Sequence, residues 1–396
     1  MNDDPDENAF AGIPFFGDMV KAFSSQGPLQ WDIARQVAMA TALGGKTTEP
    51  NVDPAERIAL ESLAPIAELH VESHVGLSTK PTDHPRTLLV VNRSTWCHHT
   101  LEAYKPLFTA LATSLSGPEV VTNESLDPAT DDSMESMIAG LSKMMAPAMM
   151  GMSVGSMVGT MSQHVFGQYD LPLPRNPIHQ MLLVPSNINS FANDWSLPID
   201  DLRMWVLINE LTAHAVLGVD HVREIILSTV RRYVAGFRPN PTAMFERMTD
   251  IELTDGNPAA ILQKFLGDPS LILGAVRSKE QEALSPALDA MVAAIIGYID
   301  HSVDAVASHV LGGGSQIAEA VRRRRVESSP NDLFLEQLLG LRLTRQQIER
   351  GRTFVEGVVE RAGNEGISKL FRAPGNLPTP SELAAPGLWL ARLEIQ

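Results

Sequence analysis

DDLRMWVLINELTAHAVL, residues 200–217, is the stretch on which the reading of this chain turns. Asp200 opens a strongly apolar helix that runs to Leu217, and Gly218 stands where a C-cap glycine belongs. At its centre the hydrocarbon is interrupted by Asn209-Glu210-Leu211-Thr212-Ala213-His214. A helical zinc-hydrolase site needs two histidines at i and i+4, one turn apart on one face, and a glutamate at i+1 that takes a proton from metal-bound water. Here the glutamate is present as Glu210, and the two histidine positions hold Asn209 and Ala213. His214 comes one residue too late, rotated by ~100° from Ala213.

Outward from this helix the composition is that of an ordinary globular protein. The chain has 396 residues, 44% apolar and 20% charged, enough to bury a sizeable core. At ~150 residues per domain, that length corresponds to two or three domains or one large one. Acidic residues outnumber basic ones, 47 against 31, for a net charge of −16, which argues against a general nucleic-acid binder and against docking on anionic lipid. The single cysteine, Cys97, permits no intrachain disulfide. The acidic start, Asn2-Asp3-Asp4-Pro5-Asp6-Glu7, is unlike a secretory signal, so the expected location is the cytoplasm.

The pattern predicts a disordered N-terminus over 1–12 and an amphipathic piece at 13–25. Helices are expected at 31–43, from Asp53-Pro54 to about Val75, and over 95–115. TLLVVN (87–92) and QMLLV (180–184) are strand candidates. A polar loop covers 117–132. Between Lys143 and Asp170 no residue carries a formal charge, and Gly151, Gly155 and Gly159 recur every fourth residue. Small-xxx-small spacing is used by membrane helices, but Pro147, Ser153, Ser156, Gln163 and His164 favour a buried Met-rich helix crossed closely by a neighbour, with no membrane span. Further helices are expected at 221–235, 242–266, 279–310, 315–326, 332–340 and 344–363, the last weakened by Gly351 and Gly357. The Pro-rich tail reads as extended and packed on the core. The sum is a mainly α protein with a very small β-sheet. The organisation expected is 1–12 disordered, an N-terminal helical region over 13–130, a core over 131–373 containing the helix at 200–217, and a C-terminal tail over 374–396.

Six stretches together resemble a family of zincin-like metallopeptidases, hydrolases by designation, sister to a group associated with biosynthesis of a deazaflavin coenzyme. They are FAGIPFFGDM (10–19), GPLQWDIARQVA (27–38), FGQYDLPLP (166–174), WSLPIDDLRMWVLINELTAHAVLGVDHVRE (195–224), VVERAGNEGISKLF (358–371) and LPTPSELAAPGLWLARL (377–393), so the resemblance runs from about Asn8 to Arg392. It implies a zincin-like helical domain, with zinc as the cofactor of active members. The family's His-Glu-x-x-His motif falls on Asn209, Glu210 and Ala213. A further acidic ligand, expected before a Gly-Tyr or Gly-Trp pair on a later helix, falls on Ile296 in Ile296-Gly297-Tyr298. Alanine and isoleucine offer zinc nothing, and zinc sites need at least three protein ligands.

No cofactor is therefore expected in this chain. Glu210 is left as a vestigial general base, or as a structural partner for His214 one turn on. The resulting expectation is a non-catalytic binding or structural protein, with a peptide or protein partner in the former active-site cleft. The alternative is an active metal-dependent hydrolase or peptidase whose site has moved onto Glu210 and His214, joined by His221 or Asp220 and by His301, Asp300 or Asp304. Other candidates carry less. His98 and His99 are adjacent and point ~100° apart, and nothing local activates Cys97. Ser186, Ser190 and Ser196 lack a nucleophile-elbow setting. Gly312-Gly313-Gly314 lacks the Lys-Ser/Thr of a phosphate loop, and Arg322 to Arg325 read as solvated ion pairs.

Overall fold

The computed structural model describes residues 27–80, 85–116, 132–176, 178–238, 278–312, 314–326, 338–341 and 343–395; over 132–145 it describes the backbone. The expectations for 1–12, 13–25, 117–131 and 242–266, and for most of 332–340, lie outside these residues. The described part is mainly α with one two-stranded sheet. In chain order the elements are α1 (Trp31–Ala42), α2 (Pro54–Val75), β1 (Thr87–Val90), α3 (Arg93–Ala103), α4 (Lys105–Ser116), α5 (Asp132–Ser162), β2 (Gln180–Leu183), α6 (Pro185–Asp194), α7 (Ile199–Gly218), α8 (Asp220–Ala235), α9 (Lys279–Val310), α10 (Gly314–Val326), α11 (Arg345–Ser368), α12 (Pro380–Ala384) and α13 (Pro386–Ile395).

Local chemistry accounts for several of these boundaries. The Asp53 carboxylate accepts the Ala55 N–H, Pro54 occupies the first turn of α2, and Gly76 at φ 67° ends that helix in the left-handed region. At the end of α7 the expected glycine cap does not form. Gly218 is the last helical residue and the chain leaves through an extended Val219 (φ −63°, ψ 122°) straight into α8.

The uncharged Gly/Met stretch forms the second half of α5, and it is crossed closely as its small-residue spacing requires. A methyl group at Gly151 would stand 2.6 Å from the Gln30 carbonyl oxygen, one at Gly155 2.5 Å from that of Ala34, and one at Gly159 2.7 Å from that of Ala38. The facing side of α1 carries Ala34, Ala38 and Ala42, all buried. Two small-residue stripes with a four-residue period thus meet backbone to backbone. A second such crossing joins α9 to α11, where a Cβ on Gly351 would collide with the Ala293 carbonyl and one on Gly297 with Gly351 itself. Gly351 and Gly357 therefore do not interrupt α11. Its kink is at Gly363, φ 66°.

The core is centred on α7, every residue of which is buried from Met204 to Gly218. It packs on α2, α6, α8, α9 and α10. α9 is long and apolar enough by composition to cross a membrane, yet it packs against α7 and α11 inside the protein. β1 and β2 pair in parallel, Thr87 with Gln180 through Val90 with Leu183.

The C-terminal tail is the clearest correction. From Pro380 onward it is helical, not extended. Thr379 and Glu382 form a reciprocal capping box, and Pro380 and Pro386 each occupy the first position of a helix, where the missing N–H costs nothing. Trp389 is fully buried and donates its indole N–H to the Asn376 carbonyl at 2.6 Å.

Because the α1–α5 crossing leaves no room for a side chain, Gly155→Val lowers the free energy of unfolding by about 3 kcal/mol through overpacking. Gly387→Ala, at a position open to 4 Å, stays within about 1 kcal/mol of the parent. Urea unfolding of both variants distinguishes these outcomes.

Candidate functional site

Glu210 lies at the middle of α7 and is 1% exposed. A carboxylate cannot be buried there without strong donors. One oxygen, Oε2, accepts the main-chain N–H groups of Gln168 at 2.9 Å and Tyr169 at 3.1 Å. The preceding residue must be glycine for this approach, since a Cβ on Gly167 would stand 2.5 Å from the same oxygen and 2.8 Å from the Leu182 carbonyl. The loop is held from its other sides as well. The Trp96 indole donates to the Gly167 carbonyl (2.8 Å), the Leu182 N–H to Gln168 Oε1 (3.1 Å) and the Val184 N–H to the Phe166 carbonyl (2.8 Å). Asp170 accepts the Phe166 N–H at 2.7 Å and pairs with Arg324 at 2.9 Å, whose guanidinium lies 3.7 Å over the Phe166 ring. Arg324 is thus drawn out of the basic run onto this loop, while Arg323 pairs with Glu319 along α10 and Arg322 with Asp304.

His214 is fully buried one turn further along α7. Its Nδ1 shares a 2.8 Å hydrogen bond with the Tyr169 hydroxyl. Glu210 and His214 therefore both engage Tyr169, one at its backbone and the other at its side chain. Burial pushes the imidazole pKa down to about 4; the nearby Arg86 charge adds to this and the Glu68 charge opposes it. The imidazole is neutral at pH 7. Burial also raises the Tyr169 hydroxyl far above the ordinary tyrosine value, so it remains a phenol. Arg86 pairs with Glu68 at 3.1 Å, and the Thr79 hydroxyl donates to the same carboxylate at 2.6 Å.

On the other side of the loop, Arg175 is buried beside the rings of Trp96 and Tyr104, 5.9 Å from each centroid, and donates to Thr100 Oγ1 at 3.1 Å. Gln168, Tyr169, Arg175, Trp96 and Tyr104 were not singled out by sequence reasoning. For Gln168 and Tyr169 the one signal is that FGQYDLPLP holds a glycine followed by polar residues inside an otherwise apolar stretch; Trp96, Tyr104 and Arg175 lie outside it and carry none.

The zincin-like metallopeptidase family model matches residues 29–390, most of the chain. The chain belongs to this family. A solved structure from Chloroflexus aurantiacus, titled a "putative hydrolase with a novel fold", superposes with a TM-score of 0.63 at 22% identity, covering 93% of this chain and 99% of that one. At that identity the likeness is one of fold. No curated protein matches the chain.

The residues present do not fit the zinc of a zincin-like metallopeptidase. Asn209 and Ala213 lie buried on α7, and Ile296 packs with the hydrophobic core from α9. The relocated site is not assembled either. Among the described residues no three His, Cys, Asp or Glu side chains converge where a metal ion could be held, so Glu210, His214, His221 and His301 are not brought together as ligands, nor are Asp220, Asp300 and Asp304. The Cys97 thiol is buried against the Ala38 and Val158 carbonyls and its pKa is pushed by burial up to about 12. His98 and His99 meet edge to face at 5.7 Å. The Ser190 hydroxyl donates to the Ser186 carbonyl, and Ser196 holds a turn at φ 52°.

Glu210→Ala strands two buried N–H groups and lowers unfolding free energy by about 3 kcal/mol, and Glu210→Gln, which keeps an acceptor oxygen, costs clearly less. Stability also falls with acid in a defined window. The unfolded chain protonates His214 near its ordinary value of 6.5 and the folded one only near 4, so its contribution is complete above pH 6.5 and is lost as pH falls toward 4. This amounts to about 2 kcal/mol between pH 7 and pH 5. His214→Gln removes that part of the slope in paired urea titrations.

Proposed function

We propose that this chain is a metal-free, non-catalytic member of the zincin-like metallopeptidase family, kept as a binding or structural protein with a peptide or protein partner at the former active-site cleft. The observation that carries the reading is the engagement of Glu210. In a metallohydrolase the glutamate of the motif helix must be free to take a proton from metal-bound water. Here its Oε2 is taken up by the main-chain N–H groups of Gln168 and Tyr169. Asn209, Ala213 and Ile296, at the positions where the family's ligands fall, supply at most one weak oxygen donor for a metal that needs three protein ligands. The hydrolase title of the Chloroflexus protein accords with a hydrolytic ancestry from which this chain has departed.

Metal analysis of the protein purified without chelator tests the reading. The expected result is far less than one zinc per chain. Stoichiometric metal that disappears in Glu210→Gln and His214→Ala would overturn it in favour of a working, relocated site. The triple variant Asn209→His, Ala213→His and Ile296→Glu is expected to take up about one zinc per chain if the family's three ligand positions fall there. A folded triple variant that binds none rejects that assignment.

A further inference from the structure

A cavity of about 330 Å³ opens between α3, the start of α4, residues 175–176 and β2, lined by His99, Glu102, Pro106, Arg175, Asn176 and Gln180. Its decisive wall is Arg175. This side chain is 4% exposed, yet among the described residues it forms no ion pair. Nη2 donates to Thr100, and Nη1 is buried without any hydrogen-bond partner. The carboxylate whose charge reaches it, Glu210, is beyond ion-pair distance and already holds two main-chain donors. Leaving a guanidinium in this state is costly, because an arginine keeps its proton even when buried. The rings of Trp96 and Tyr104, 5.9 Å away, offset only part of that cost. An arginine that is buried, positively charged and short of an acceptor beside a cavity is the arrangement of an anion site awaiting its anion.

We propose that this cavity binds the carboxylate group of a small ligand, with Arg175 as the recognising cation. The rest of the lining sets the class. Gln180 and Asn176 bring neutral amides, which donate without adding charge. Glu102 also faces the cavity, but its carboxylate is held by Arg35 at 2.6 Å. That residual negative wall opposes a dianion such as phosphate and is tolerated by a monocarboxylate. The volume lies at the low end for small-molecule sites, so the ligand is of amino-acid to short-peptide-end size. A free carboxylic acid and the C-terminus of a peptide present the same group, and both are within reach. The site is separate from the zinc question and stands or falls independently of the non-catalytic reading.

The test is thermal unfolding of the full chain with sodium acetate, N-acetylglycine, a Gly-Gly-Ala tripeptide and the same tripeptide as its C-terminal amide, all against sodium chloride at equal ionic strength, followed by calorimetric titration. Carboxylates are expected to raise the midpoint while the amide and chloride do not. Acetate and N-acetylglycine acting alone identify a free acid, and a stronger response to the tripeptide identifies a peptide end. Arg175→Gln is expected to weaken binding at least tenfold, the loss of one charge-assisted hydrogen bond. Should that variant fail to fold, Gln180→Glu supplies an internal carboxylate on the same wall and is expected to abolish the response while holding or raising the midpoint. The proposal is overturned if no carboxylate exceeds the chloride control in the parent protein, which would leave water as the occupant. It is equally overturned if a folded Arg175→Gln or Gln180→Glu protein responds as the parent does.

Discussion

A single buried carboxylate organises the middle of this molecule. Glu210 emerges from a helix with no exposed face in its central turns and spends one oxygen on two consecutive main-chain N–H groups of the 167–169 loop. The donors that meet Oε2 are fixed dipoles that need no reorganisation. Much else is subordinate to the contact. Gly167 lacks a side chain because the carboxylate and the Leu182 carbonyl occupy its place. Trp96 pins the glycine carbonyl, Gln168 ties the loop to β2, and Tyr169 reaches on to His214. The motif helix, the loop and the sheet are thereby one hydrogen-bonded unit.

On α7 a buried acid shares its central turns with Asn209 and Ala213, and its Oε2 is held by two main-chain N–H groups. Nearby basic groups have been drawn in around the loop, with Arg324 over Phe166 and Arg175 beside Trp96 and Tyr104. An overall net charge of −16 hides these two buried or half-buried cations, whose partners are set by three-dimensional proximity alone.

What could be read in advance follows from how local each signal is. Asp53-Pro54 and Gly76 act within one turn of the backbone, so α2 is legible at both ends. The four-residue spacing of Gly151, Gly155 and Gly159 is likewise a property of one segment, and it correctly implied a close crossing, though not that Ala34 and Ala38 would supply the other side. The errors came where one residue type has two meanings. Pro380 and Pro386 look like breakers and are helix starters, and Gly351 looks like a weak point and is a contact surface. Asn209, Glu210 and Ala213 can be read on α7 directly from the sequence. The surroundings of Glu210 cannot, because its donors lie some forty residues back in the chain, and Arg175 meets Thr100 across 75 residues. No periodicity carries information over such separations.

The parallel pairing of β1 with β2 joins Thr87 to Gln180 across about ninety residues of chain. During vectorial synthesis β1 therefore leaves the ribosome with no partner in existence, and the loop that receives Glu210 is complete well before Glu210 itself is made. The α1–α5 crossing can close first, since all of its residues precede Ser162. The nascent chain thus holds an assembled helical half and an unsatisfied strand until β2 emerges, and a loop without its carboxylate until translation passes α7, and that interval is when this protein most needs protection from its neighbours.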